Sequence, residues 1–150
     1  MDADIRHQEI VTVICLRIRI ISSRSEINLI RPNERAVHLA FRASNVDFLN
    51  LFQKVPRLQL IQSPSSYMKT MSNANRMFME MQGVELLEGD VWGHRKDLDE
   101  YFTIEDETIE EIRSLVAGGM SPDDVADQIQ EKSRLSPDLI KYLVSGKATA

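Results

Sequence analysis

The chain has 150 residues, 43% of them apolar and 27% charged, which suits one domain of ordinary size or a compact domain with an appendage and excludes disorder of the whole. Its one cysteine, Cys15, excludes an internal disulfide and fits a reducing compartment, and three scattered histidines (His7, His38, His94) exclude the usual zinc-finger spacings. The net charge of -5 is unevenly spread: residues 1–76 carry 11 Lys and Arg against 6 Asp and Glu, whereas residues 77–150 carry 7 against 17.

Along the chain, residues 1–15 are an N-terminal extension that reads either as a lead or as an extra strand through Ile10–Cys15. No apolar run reaches the roughly 18 residues of a membrane span, and Arg17 and Arg19 interrupt the longest. The acidic start (Asp2, Asp4) and the lack of a small-residue cleavage site argue against a signal peptide, so a cytoplasmic location is expected.

Four short runs of branched aliphatics follow, at Leu16–Ile21, Ala36–Phe41, Leu58–Ile61 and Val84–Leu87. Each is bounded by turn residues, as strands are. The gaps between them hold helical patterns. Ser25–Ile30 is stopped by Pro32. Val46–Lys54 is capped by Ser44 or Asn45 and places Val46, Leu49 and Phe52 on one face, with Phe48 and Leu51 alongside. Tyr67–Gln82 carries Met68, Met71, Phe78 and Met81 and is stopped by Gly83. The expected fold class is α/β: a small, mostly parallel sheet of about four strands in βαβαβαβ order, a Rossmann or flavodoxin-like half, over residues 16–96.

Residues 97–150 form a connector and an acidic three-helix domain. Ile109, Ile112 and Val116 mark its first helix, ended by Gly118-Gly119. Ser121-Pro122-Asp123 and Ser136-Pro137-Asp138 open the second and third with a serine cap and proline at the first helical position.

Three segments, Arg35–Arg42, Gly83–Lys96 and Leu135–Tyr142, carry a family likeness. Through them the chain, from Leu16 onward, resembles an uncharacterised, methanogen-type archaeal family, domain-of-unknown-function family 1699. The resemblance implies a cytosolic protein and assigns no catalytic residues. The three-helix tail is also similar to a helix-turn-helix, with a long connection from Glu131 to Leu135, and to a ubiquitin-associated bundle whose loop aromatic is missing at Gly118-Gly119-Met120. Asn45–Ser63 resembles the substrate half of D-2-hydroxyacid dehydrogenases, but there is no G-x-G-x-x-G and no P-loop lysine, so no cofactor is indicated.

In a parallel sheet, the loops after the strands gather at one edge, where ligands bind. Ser23 and Arg24, then Arg42, Ser44 and Asn45, then Ser63, Ser65, Ser66, Tyr67 and Lys69, then Asp90, Trp92, His94 and Arg95 occupy those loops. Serines and asparagine at helix starts, together with arginines, suit a small anionic metabolite or nucleotide. His94 beside Asp90 suits acid–base chemistry, Trp92 could stack on a ligand ring, and no metal site is proposed. His38, inside an apolar run, reads as a core histidine. The functional expectation is therefore binding of a small anion at the sheet edge, as an enzyme or as a binding protein. The alternatives are a transcriptional regulator with a helix-turn-helix-like tail and a protein-interaction module. The acidic tail disfavours nucleic acid, and its apolar helix faces leave a protein partner or a second copy open.

Overall fold

The structure, a computed structural model, describes residues 16–91 and 101–146. These residues divide into two compact units, one spanning Ile18–Phe102 and the other running on from Thr103.

The chain forms a sheet in the order β4-β3-β2-β1-β5, with β1 at Leu16–Ile21, β2 at Ala36–Leu39, β3 at Leu60–Ser63, β4 at Glu85–Glu88 and β5 at Tyr101–Ile104, and the first unit holds β2 to β4 whole with most of β1 and the first half of β5. Strands β1 to β4 pair in parallel, each beside its predecessor. Between them lie a 3-10 helix at Arg24–Leu29, α1 at Asn45–Lys54, the single turn α2 at Ser65–Met68, and α3 at Asn73–Met81. The register sets Ile21 beside Leu39, and Val37 beside Ile61. These four side chains form one cluster with Ile27 of the 3-10 helix, Phe48 and Leu51 of α1, and Met79 of α3. The 3-10 helix, α1 and α3 therefore lie on one sheet face, as successive right-handed crossovers to neighbouring strands require. The opposite face, with Ile20, His38, Leu60, Gln62 and Leu87, is buried as well.

Several sequence expectations change in detail. Tyr101–Ile104 is a strand rather than connector, which makes the sheet five-stranded. The 67–82 stretch is two helices, because the Ser72 hydroxyl accepts from the Asn75 amide and starts α3 afresh. That break shifts the helical phase: Met79 is buried, while Met77 and Met81 are exposed. On α1 the core face is Phe48 and Leu51, with Val46 and Leu49 exposed. Gly83, at a φ of 74°, turns the chain out of α3, and the Val84 amide bonds back to Met79 oxygen.

The second unit carries α4 at Asp106–Ala117, α5 at Pro122–Lys132 and α6 at Pro137–Val144. Ser121 and Ser136 cap α5 and α6 by accepting from the amides of Asp124 and Leu139. Ile109, Ile112, Val125, Ala126, Ile129, Leu135, Leu139 and Ile140 are among its buried aliphatic side chains. The connection between α5 and α6 is only Ser133–Ser136, an ordinary length for a helix-turn-helix and shorter than the sequence suggested. Ser133 tightens it, donating to Ile129 oxygen and accepting from the Leu135 amide. Among the described residues, no helix is long and apolar enough to cross a membrane.

Candidate ligand site

A cavity of about 540 Å³ opens at the carboxyl ends of β2 and β3. Leu39 and Ser63 reach it from the helix-covered face of those strands, Phe41 to Val46 from the loop and first turn of α1, and Tyr67, Thr70, Met71, Ser72 and Asn75 from the stretch that joins α2 to α3. That size is ordinary for small-molecule sites. Its apolar lining is Leu39, Phe41, Ala43, Val46, Phe48 and Met71.

The start of α1 is fixed by a capping box. The Ser44 hydroxyl accepts from the Asp47 amide, and the Asp47 carboxylate accepts from the Ser44 amide at 2.9 Å. Arg24 Nε then donates to Asp47 Oδ1 at 2.7 Å. Burial alone would raise the Asp47 carboxyl, but the hydrogen bonds from Arg24 and Ser44 outweigh it and hold it below the ordinary aspartate value. Arg24 is thus committed to α1. Neither it nor Ser23, which bonds to Ser25, lines the cavity.

Asn45 joins the two helix starts: its side-chain oxygen accepts from Ser72 Oγ at 3.2 Å and from Asn75 Nδ2 at 2.7 Å. The N-termini of α1 and α3 consequently both open onto the cavity. Arg42 is its one charged lining residue, and no carboxylate lines it. The guanidinium stands 5.3 Å from the Tyr67 ring centroid and donates from Nη1 to Thr70 Oγ1. A guanidinium held this way loses much of its rotamer freedom. At the floor, Ser63 is only 2% exposed, and among the described residues its hydroxyl makes no hydrogen bond.

The structure therefore brings Arg42, Ser44, Asn45, Ser63 and Tyr67 together from the sequence set. Ser65 and Ser66 are exposed, begin a one-turn helix and do not line the cavity. Asp90 lies elsewhere, with Oδ1 3.6 Å from Nε2 of the fully buried His38. Trp92, His94 and Arg95 lie outside the described residues, as do residues 1–15 with Cys15. Sequence reasoning had not singled out Thr70, Ser72 or Asn75. The Ser72-to-Asn75 spacing is a cap signal that a continuous methionine pattern hid. Among the described residues, no group of three or more His, Cys, Asp or Glu could hold a metal ion.

Comparison with known families places both units. Residues 17–100 match a model described as the N-terminal domain of a family of unknown function, DUF1699, and residues 107–145 match that family's C-terminal HTH domain. No curated protein and no solved structure matches the chain.

Proposed function

The chain belongs to the DUF1699 family, and on that footing we propose that its α/β unit binds a small anionic ligand in the cavity at the ends of β2 and β3. The observation that carries this reading is the charge of the lining: one arginine, Arg42, and no carboxylate, with two helix N-termini facing the same space. Backbone N–H groups at the first positions of a helix have no partner within the helix and attract negative charge. Arg42 supplies a fork of donors suited to a carboxylate or phosphate. Whether the bound ligand is also transformed is a separate matter, and no residue of the cavity is assigned a catalytic role.

A thermal-shift panel of carboxylates, phosphorylated metabolites and nucleotides on the wild type and Arg42→Ala tests the reading. A ligand at about 100 times its Kd stabilises the folded state by about 2.7 kcal/mol. The expected result is a shift with at least one anion that is lost in Arg42→Ala; a panel without any shift removes the proposal.

A second reading, a regulator whose C-terminal unit reads DNA, is favoured by the description of that unit as an HTH domain. Charge opposes it. Residues 101–150 carry 10 Asp and Glu against 5 Lys and Arg. Lys132 is held by Glu111 at 2.7 Å and Lys141 by Asp123 at 2.8 Å. DNA readers instead neutralise phosphates with a basic face. A mobility shift that fades as salt rises would promote this reading over the first; none is expected.

A further inference from the structure

On the footing of the anion-binding reading, we infer that the cavity takes a monocarboxylate with a flat apolar body, and not a phosphate ester. Charge decides the first half of the inference. The dipole at the start of α1 already faces the Asp47 carboxylate, and Arg24 in turn neutralises that group. At the start of α3, the Ser72 hydroxyl and the Asn75 side chain are engaged with Asn45 and with the helix itself. One full positive charge, Arg42, is left for a ligand. A phosphate monoester carries roughly -1.5 to -2 at neutral pH, so part of its charge would go unmet beside an apolar wall. A carboxylate carries a single charge and matches the guanidinium fork.

The lining decides the second half. Leu39, Phe41, Phe48 and Met71 offer apolar surface on which a planar or aliphatic body loses contact with water. Most of the rest of the lining is polar, and Ser44, Asn45, Thr70, Ser72 and Asn75 already hydrogen-bond within the protein. Ser63 differs from them. The residue is buried, and among the described residues its hydroxyl makes no hydrogen bond. It lies on the sheet face that carries Ile61 and Leu39, at the cavity floor. The ligand body therefore carries one hydrogen-bonding atom that meets Ser63 while its carboxylate meets Arg42.

The test uses the full chain and three probes of matched shape: phenylacetate, phenyl phosphate and benzyl alcohol. Binding is followed by amide chemical shifts and titration calorimetry on the wild type, Arg42→Lys, Arg42→Ala and Ser63→Ala, each checked for native circular dichroism. Phenylacetate is expected to bind tightest and to move the amides of Asn45, Val46, Ser63 and Tyr67. Arg42→Ala should weaken it about tenfold to a hundredfold, with Arg42→Lys between the two. The better of 3- and 4-hydroxyphenylacetate should outbind phenylacetate on the wild type and lose that advantage in Ser63→Ala. If phenyl phosphate binds tightest, the monocarboxylate inference falls while the anion site stands. If benzyl alcohol binds tightest, if Arg42→Ala changes nothing, or if no probe binds, both fall. A hydroxyl advantage that is absent from the wild type, or that survives in Ser63→Ala, overturns the part given to Ser63.

Discussion

In the C-terminal helices the buried side chains are Ile109, Ile112, Val125, Ala126, Ile129, Leu135, Leu139, Ile140 and Tyr142, and the one non-aromatic polar side chain buried with them is the helix cap Ser136. In the α/β unit Arg19, Glu34, His38, Asp47, Gln62, Ser63 and Asn75 are buried beside a comparable set of aliphatics. A buried polar group costs stability unless it is hydrogen-bonded, and holding it in place uses other side chains. Asp47 is held by Arg24 and Ser44, Asn75 by Asn45, and Glu34 accepts from the Tyr101 hydroxyl. The helical unit is packed for its own stability. The α/β unit gives up some of that to fix polar atoms in particular directions, and two of them, Ser63 and Asn75, line the cavity.

The widest separation between the units should appear on truncating an aliphatic. Ile129 is 1% exposed among other aliphatics, so Ile129→Ala removes buried methyl groups and leaves a space that neighbouring side chains fill poorly. A loss of about 2–5 kcal/mol is expected by urea denaturation. A loss under about 1 kcal/mol would mean that this interior is loosely packed and that the contrast has been overdrawn.

Next in size is Asp47→Asn, which keeps the shape but removes the charge that joins Arg24 to the α1 cap. Charge-assisted hydrogen bonds and an N-cap together make a loss of about 2 kcal/mol the expectation at pH 7. The pH dependence fixes the cause. Because the folded Asp47 sits below the ordinary aspartate value, its contribution is fully present above that value and is lost as pH falls through the folded one. Wild-type stability should therefore fall with acid below about pH 4, and Asp47→Asn should fall less over the same interval. Parallel pH curves for the two proteins would leave the Arg24–Asp47 pair without a role in stability.

How much of this was legible beforehand follows the reach of each interaction. The caps Ser44, Ser121 and Ser136 were readable because a cap is settled within four residues. So were the first four strands, whose aliphatic runs are bounded by turn residues. β5 was not: Tyr101–Ile104 is short and emerges from a charged stretch, and only its neighbour β1 makes it a strand. The face of α1 was misjudged because Val46 and Leu49 are as apolar as Phe48 and Leu51, and only the sheet decides which pair is buried. The commitment of Arg24 to Asp47 spans 23 positions, and no local pattern announces it. Arg42, Ser44 and Asn45 were legible as cavity residues because they follow a strand directly. Ser63 was visible only as a loop-end serine, since its direction depends on the register of β3 against β2 and β4.

A smaller effect is expected on the helical side at Ser121, an exposed cap whose hydroxyl accepts from the Asp124 amide at 3.2 Å. Ser121→Ala should cost about 1 kcal/mol by thermal denaturation, with Pro122 still holding the first helical position. A larger loss would show that the start of α5 supports more than its own first turn.

The smallest effect sharpens the comparison most. Ser63→Ala deletes a hydroxyl of a buried residue that makes no side-chain hydrogen bond among the described residues. Ser136 is equally buried, but it caps α6 by accepting from the Leu139 amide at 3.3 Å. Two buried serines in the two units should therefore respond in opposite ways. Ser136→Ala orphans an amide and should cost about 1 kcal/mol. Ser63→Ala orphans nothing and removes a desolvated oxygen, so its stability should stay within about 0.5 kcal/mol of the wild type, or rise. Denaturation of both variants in one buffer makes the comparison direct. A clear loss at Ser63 would give its hydroxyl a structural partner and withdraw it from the cavity floor. No loss there, beside a measurable one at Ser136, would mean that the fold tolerates this oxygen without needing it, as a group kept for a ligand would be.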